Sequence, residues 1–443
     1  MRSFMRRFHY ALLRFVTSFD GILRERLTGA GKLAAMSAFM AAVVGLDTHQ
    51  SLASQVFALL AAMLALSAAL GLLFRAKVHV RRNLPRFATA GEELSYRIGI
   101  GNLDSRPLAD VEVREQFANL RPTFAEFQRA RDPRDAQRNW VDRKGGYFRW
   151  RHLVERRLPE RAAAGALSLM PAGAHGEVRA SLIPRRRGVL SFAGVDLVRP
   201  DVLGLALGRI RTPLPERLVV LPKRYRLPQV LLPAQRLLQP GGHALSSSIG
   251  DSEEFLSLRE YRPGDSLRRV HWKSFARTGE PVVKEYETEF FERHALILDT
   301  CAAGETEAFE EAVSIAASFI YTIDTQECLL DLVFVAGEPE CHTAGRGEAS
   351  NVHLLEVLAG LGPAQPGQFE QLAREVIAMR GTLSSAVFVM LAWDEPRRNL
   401  VAALNASGLG VRVLLVSESA PADAAGLLVL TPGKIEAGLA KFA

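Results

Sequence analysis

The sequence predicts two transmembrane helices forming a hairpin, then a β-sandwich-like domain, then a C-terminal α/β domain built on a doubly wound, largely parallel sheet. Three observations carry this. Residues 52–74 hold no charge over 23 positions, and at about 1.5 Å per residue such a helix crosses a hydrocarbon core of about 30 Å. From residue 77, short runs alternating apolar and polar residues between Gly and Pro signals read as antiparallel strands. After residue 289, apolar strand-like runs alternate with helical patterns, as in βαβ units.

Length and composition agree. A chain of 443 residues accommodates about three modules, and 48% apolar with 23% charged residues excludes extensive disorder and fibrous repeats. The excess of 55 Lys and Arg over 48 Asp and Glu is too diffuse to imply a nucleic-acid partner. Cys301, Cys328 and Cys341 lack CxxC spacing. They make neither a disulfide framework nor a zinc knuckle, and a reducing compartment fits best.

Residues 1–31 form an amphipathic segment: Phe4, Phe8, Leu12, Phe15, Phe19, Ile22 and Leu23 recur at helical spacing with Arg6, Arg7 and Arg14 between them. It suits either the membrane interface or packing on the protein's own body. Residues 32–74 form the hairpin, with the turn at 47–51; the first span is apolar apart from Lys32, which can snorkel. Basic residues flank both outer ends, six Arg before the hairpin and Arg75, Lys77, Arg81, Arg82 and Arg86 after it, and none lies in the loop. Both termini are therefore expected on the cytoplasmic side of a bacterial inner membrane, in a multi-pass arrangement.

Residues 77–222 read as the β-sandwich-like domain. Its interior holds a charged insertion, residues 121–161, with twelve basic and six acidic residues interleaved with Phe124, Phe127, Trp140, Tyr147, Phe148 and Trp150. Either an RNA or anionic-lipid surface or a solvated loop or short hairpin accounts for it. Mixed charge signs favour the solvated loop, and no specific nucleic acid is expected.

Residues 223–288 hold a linker and then the densest chemistry of the chain. Pro263-Gly264-Asp265 is a turn signal. Around it cluster Arg259, Arg262, Arg268, Arg269, His271, Lys273 and Arg277, with Trp272 as an apolar anchor and Lys284 and Glu287 downstream. Such a set can grip phosphate or a partner's carboxylates. It can also pair internally with Glu260, Asp265, Glu285 and Glu287, and the even alternation of signs favours an internal clamp. In the α/β domain, residues 289–443, Asp299 and Asp394 fall at the carboxyl ends of two strands, where such sheets bind ligands.

These residues also carry a family resemblance. Arg262-Pro263-Gly264-Asp265, Arg268, His271-Trp272-Lys273, Ala276-Arg277 and Val283-Lys284-x-Tyr286-Glu287 resemble the signature of the bacterial family called "domain of unknown function 58". Residues 186–205, with Pro200, Asp201 and Gly204, match its preceding segment loosely. The resemblance implies that the last domain is von Willebrand factor A-like, and that the partner is a MoxR-type AAA+ ATPase served in assembly or stress-related work.

The metal-binding version of that fold uses Asp-x-Ser-x-Ser. This chain reads Asp299-Thr300-Cys301-Ala302-Ala303, where sulfur and a methyl replace two hard ligands, so a degenerate site at Asp299, Cys301 and Asp394 holds no metal. His294 lies five residues from Asp299 on one strand, roughly 15 Å away, so no thiol–imidazole pair forms with Cys301. No Gly-rich phosphate loop, HExxH or GxSxG occurs. The expectation is a non-enzymatic, cofactor-free, membrane-anchored scaffold facing the cytoplasm. The alternative is a cryptic hydrolase or nucleic-acid-binding protein using residues 262–277.

Overall fold

The computed structural model describes residues 7, 10–17, 21, 25–45, 51–118, 120–129, 138–228, 253–288, 292–302, 304, 306–323, 328–345, 350–421, 423 and 426–440. It has mixed α/β content in two compact units, Met1–Arg224 with Leu355–Leu361, and Tyr225–Leu354 with Gly362–Ala443.

The first unit begins with two apolar helices, α1 (Gly29–Val44) and α2 (Ser51–Leu72). Leu52–Leu72 is long and apolar enough to cross a membrane, and only 11% of its most apolar stretch is buried. A soluble core helix of that composition would be mostly covered; here Leu52, Leu59, Leu66 and Leu72 are exposed. At 16 residues, α1 is shorter than a full span. Residues 46–50 of the expected loop lie outside the described residues.

Both helices are seated on one β-turn. Asp201 accepts the backbone N–H groups of Leu203, Leu205 and Ala206, and Gly204 at φ +68° turns the chain. Thr28 caps α1 through Gly31 N and also donates to Gly204 O at 2.5 Å. A Cβ on Gly31 would stand 1.9 Å from the Leu205 carbonyl oxygen, and one on Gly208 2.6 Å from Phe74 Cβ. Only glycine permits these approaches.

The sandwich follows as β1 (Val78–Asn83), β2 (Phe87–Thr89), β3 (Leu94–Asn102), β4 (Leu108–Phe117), β5 (Arg161–Ala164), β6 (Ala166–Met170), β7 (His175–Ile183), β8 (Gly188–Pro200) and β9 (Leu207–Leu221). One sheet runs β1-β3-β7-β5 and the other β2-β9-β8-β4-β6. Alternation fills the core between them: Tyr96, Ile98 and Ile100 of β3 meet Val111 and Val113 of β4 and Leu197 of β8.

The insertion corrects its sequence reading. Its described part is helical, with α3 (Phe124–Arg129), α4 (Trp140–Gly145) and α5 (Tyr147–Arg157). Phe127 and Trp150 are buried with Leu13, and Tyr10 stacks edge-on against Phe124 while donating to Pro122 O. Phe127 and Trp150, with Tyr147 packed against them, are thus a small core of their own, while Trp140 is exposed. They recruit the N-terminal segment at Tyr10 and Leu13, although Phe15 stays exposed.

The second unit opens with a two-stranded antiparallel hairpin, β10 (Glu253–Glu260) and β11 (Val282–Thr288), with α6 (Trp272–Thr278) inserted between its strands. A six-stranded sheet follows: β12 (Glu292–Leu298), β13 (Cys328–Val335), β14 (Pro339–Ala344), β15 (Ser385–Met390), β16 (Gly410–Val416) and β17 (Leu427–Leu430). Its order is β14-β13-β12-β15-β16-β17. All neighbours are parallel except β14, an antiparallel edge strand that the sequence reading lacked. Its residues, Pro-Glu-Cys-His-Thr-Ala, are too polar to read as a strand.

Helix α7 (Glu307–Thr322) contacts β12, β15 and β16. On the alternate residues of the strands, Ile297, Val333 and Phe388 pack with Leu372 and Val376 of α9 (Phe369–Met379) and Leu400 and Leu404 of α10 (Glu395–Ala406). Between β14 and α9 the chain forms α8 (Asn351–Gly360), whose residues from Leu355 onward belong to the first unit. Burial on both faces explains why β15 is apolar at nearly every position.

Candidate functional site

Two places hold the chemistry singled out by the sequence: the signature element, and the carboxyl ends of β12 and β15.

In the signature, Arg259 at the end of β10 reaches Asp265 with both terminal nitrogens at 2.7 Å. Asp265 also accepts Arg262 N–H at 2.8 Å, closing the Pro263-Gly264 turn in which Gly264 has φ +109°. The Arg259 guanidinium, helped by that N–H, pulls the Asp265 carboxyl down to about 2. Val270 then bridges to Val283, and His271 N–H donates to Val282 O, pinning the start of α6 to β11. His271 Nδ1 lies 2.7 Å from Ser274 Oγ, and Gly279 ends the helix in the left-handed conformation.

Among the described residues, the expected internal clamp shows this Arg259–Asp265 pair; the side chains of Arg269 and Glu285 lie outside the described residues. Trp272, read as an apolar anchor, is 59% exposed, with Leu267 at 64% and Phe275 at 38%. Trp272 and Phe275 meet edge-to-face with centroids 6.1 Å apart. Arg262, Arg268, Lys273 and Arg277 are also exposed, and Lys284 is half-buried; the Glu287 side chain lies outside the described residues. A helix of seven residues resting on Val270 and Val283 has little interior to offer, so Arg268, Lys273 and Arg277 stay at the surface. Leu267 and Phe275 were missed by sequence reasoning; the signal was their spacing around Trp272, three residues from Phe275 and five from Leu267.

The second place lies at the switch point of the sheet. The chain runs outward from β12 to β14 on one side and from β15 to β17 on the other, so the β12–β15 crevice is where such sheets receive ligands. Asp299 stands at that crevice, 1% exposed, and accepts the backbone N–H groups of Cys301 at 3.0 Å and Leu391 at 3.2 Å. Asp394 caps α10 through Arg397 N. Between the carboxylates sits the Arg397 guanidinium, 2.7–2.8 Å from Asp299 Oδ2 and 2.5 Å from Asp394 Oδ2, with its face 4.3 Å from the centre of the Phe369 ring.

Burial pushes the Asp299 carboxyl upward against the pull of Arg397 and the two N–H groups. The residues do not fit a Mg²⁺ ion, because a cation of the chain's own already bridges both carboxylates and the hydroxyl ligands are missing. Sequence reading saw Asp299 and Asp394 but not Arg397. The available signal was Asp-x-x-Arg at a helix start, which puts the guanidinium one turn from the capping carboxylate.

The setting of Cys301 disfavours a thiolate. Burial and the neighbouring Asp299 charge push its thiol up to about 11. His294, at the other end of β12, bonds Ser385 Oγ at 2.8 Å, and burial pushes its imidazole pKa downward against the pull of Glu292.

Residues 257–426 match the family model described as "Protein of unknown function DUF58". The uncharacterized protein YeaD of Bacillus subtilis (strain 168) is 29% identical over 175 residues, 39% of this chain and 42% of that protein, so the match spans less than half of that relative's length. Among solved structures, the ASH / PapD-like domain of human CEP192 (PapD-like domain 7) aligns with 33% of this chain and 87% of that chain at 13% identity. Its TM-score of 0.19 carries no argument about fold.

Proposed function

We propose that the protein is a membrane-anchored adaptor whose α/β domain, of von Willebrand factor A-like type with its metal site closed by Arg397, docks a MoxR-type AAA+ ATPase from the cytoplasmic face. The observation that carries this is the exposed Trp272–Phe275 pair, with exposed Leu267, Arg268, Lys273 and Arg277 on the same short segment. An aromatic centre with a charged rim is the usual composition of a docking surface, and Trp and Arg are the residues most often dominant in one. The cations beside it call for an acidic counter-surface. The lipid-facing exposure of α2 supplies the anchor, and the basic flanks at residues 1–31 and 75–86 orient it with both termini cytoplasmic. Arg82 is withdrawn from that flank, being buried in the sandwich; Arg75, Lys77, Arg81 and Arg86 suffice. A raised Cys301 thiol and a plugged crevice weigh against a hydrolase.

The test uses the full chain in detergent with the MoxR-type ATPase of the same organism. Trp272→Ala and Arg268→Glu each weaken binding by tenfold or more, about 1.4 kcal/mol, while the melting temperature stays within about 2 °C, as for surface substitutions. Added salt reproduces the Arg268→Glu effect. No measurable binding by the native chain, or unchanged binding in both variants, refutes the docking role.

Topology is checked separately. Reporter fusions between α1 and α2 and at the C-terminus give opposite sidedness; equal sidedness removes the hairpin and the cytoplasmic placement together.

A further inference from the structure

The β8–β9 turn carries an apolar tip that its role as a seat for the two helices does not use. Turns that meet water favour Gly, Asn, Asp, Ser and Pro. In this one Asp201 and Gly204 make the turn, and Val202 and Leu203 stand between them. Val202 is 91% exposed and Leu203 39%. Neither belongs to the core of the sandwich.

The depth of the tip follows from the helix it meets. The last rung of the β8–β9 ladder pairs Pro200 with Leu207, and a Cβ on Gly71 of α2 would stand 3.5 Å from the Gly208 nitrogen. The ladder therefore ends level with Gly71. The turn runs on past it, because the Asp201 carboxylate lies beside the Ser67 hydroxyl, four residues or about 6 Å further along α2. Ser67 is fully buried while its neighbour Leu66 is exposed. It stands five residues, about 7.5 Å, inside the Leu72 end of the apolar stretch Leu52–Leu72. On the other side α1, with 16 residues to the 22 of α2, starts at this turn: Thr28 donates its N–H to Leu205 O and its hydroxyl to Gly204 O. The turn fills the place that the shorter helix leaves.

Its backbone suits a level poor in water. The N–H groups of Leu203, Leu205 and Ala206 go to the Asp201 carboxylate, and those of Asp201 and Gly204 go to backbone carbonyls. Polar backbone left open at such a depth is costly. Cations gather just outside it. Arg75 and Lys77 are exposed past the end of α2, and the Arg199 guanidinium lies 4.4 Å from the centre of the Phe74 ring.

We infer that the β8–β9 turn is itself inserted in the bilayer, with Val202 and Leu203 against the acyl chains of the cytoplasmic leaflet and Arg75, Lys77 and Arg199 at the phosphates. The inference rests on the reading of α2 as the membrane anchor and gives the sandwich an attachment of its own to the lipid. Interfacial side chains reach about 5–10 Å into the boundary between headgroups and acyl chains, the depth at which Ser67 holds the turn.

The experiment is fluorescence quenching of the full chain in vesicles of phosphatidylcholine brominated on its acyl chains, bromine being a contact quencher of indole. Single variants each add one tryptophan at an exposed position: Val202→Trp, Leu59→Trp in the middle of α2, and Val189→Trp at the opposite end of β8. The spectrum of the native chain is subtracted. The added signal of Val202→Trp falls by roughly half or more, most strongly when the bromine sits near the headgroup. That of Leu59→Trp falls most with bromine deep in the chain, and that of Val189→Trp is unchanged. Leu203→Trp, at the other residue of the tip, reproduces the result of Val202→Trp. Quenching at Leu59→Trp with none at either tip position overturns the inference and leaves the anchor in place. Quenching at none of these positions overturns the anchor and the inference together. Equal quenching at Val202→Trp and Val189→Trp also overturns it, since the sandwich as a whole then lies on the lipid and the turn does not enter it.

Discussion

Replacing Arg397 with Met lowers the stability of the α/β domain by about 3–5 kcal/mol at neutral pH, the cost of leaving a buried carboxylate without its partner. For about 200 residues that corresponds to a fall in melting temperature of roughly 6–20 °C. Asp299 is 1% exposed, and its remaining contacts are two backbone N–H groups. The pH dependence follows from the upward shift of its carboxyl. A carboxyl raised in the folded state favours the protonated form there, so its ionisation costs stability as pH rises above the unfolded value of about 4, and the cost vanishes below it. Without Arg397 the folded value rises further. The deficit of Arg397→Met is therefore largest near pH 8 and shrinks toward pH 5, as calorimetry at the two pH values will read. An equal deficit at both would exclude the carboxylate as its origin. Asp299→Ala combined with Arg397→Met loses less than the two single variants sum to, since the pair is removed together. Millimolar Mg²⁺ leaves the native melting temperature unchanged, because Arg397 already bridges Asp299 and Asp394 and leaves that pair no vacancy to favour the folded state.

This plug shows where sequence stops being informative. The apolar run of β12 followed by Asp299 is legible because both faces of a central parallel strand are buried, and the same logic found β13, β15 and β16. The edge strand β14 escaped because it is half-solvated and carries no apolar periodicity. Arg397 escaped for a different reason. It lies 98 positions from Asp299, and nothing local distinguishes an arginine that folds back into a crevice from one that meets solvent.

The signature was legible as a unit but not in its orientation. Pro263-Gly264-Asp265 gave the turn, and the Arg259–Asp265 pair follows from two charges brought together by it. Whether Arg268, Lys273 and Arg277 turn inward depends on how much apolar surface lies beneath a seven-residue helix, and that is a tertiary quantity. The insertion posed the converse problem. Its mixed charges matched an ordinary solvated surface, while Phe127 and Trp150 needed Tyr10 and Leu13, more than a hundred residues away, to become a core.

Arg82 gives the second large effect and the least expected one. At the sequence level it belongs to the basic flank after the membrane segment, but the period of two along β1 turns it inward beside Val80. Its guanidinium pairs with both Glu115 oxygens, at 2.5 and 2.9 Å, crossing from one sheet of the sandwich to the other. It also donates to the carbonyls of Leu214 and Gly194, reaches Glu216 at 3.1 Å, and lies 4.4 Å from the centre of the Phe192 ring. Tyr96 donates to Glu115 at 2.8 Å from the same interior. The side chains of Arg82 and Glu115 are 0% and 3% exposed, so Arg82→Met strands the carboxylate and costs about 3–5 kcal/mol. Arg82→Met with Glu115→Leu replaces the dry pair by apolar groups, and such replacements are often neutral or stabilising by about 1–4 kcal/mol. The double variant is therefore more stable than Arg82→Met alone. Burial and the Glu115 charge raise the Tyr96 hydroxyl well above its ordinary range. The folded state thus keeps that proton when the unfolded chain releases it, and stability present below about pH 10 is lost as pH rises beyond it. Tyr96→Phe flattens this alkaline loss. Thermal unfolding of the three variants between pH 7 and 11 decides the matter: a double variant no more stable than Arg82→Met would mean that Glu115 finds another partner when Arg82 is gone.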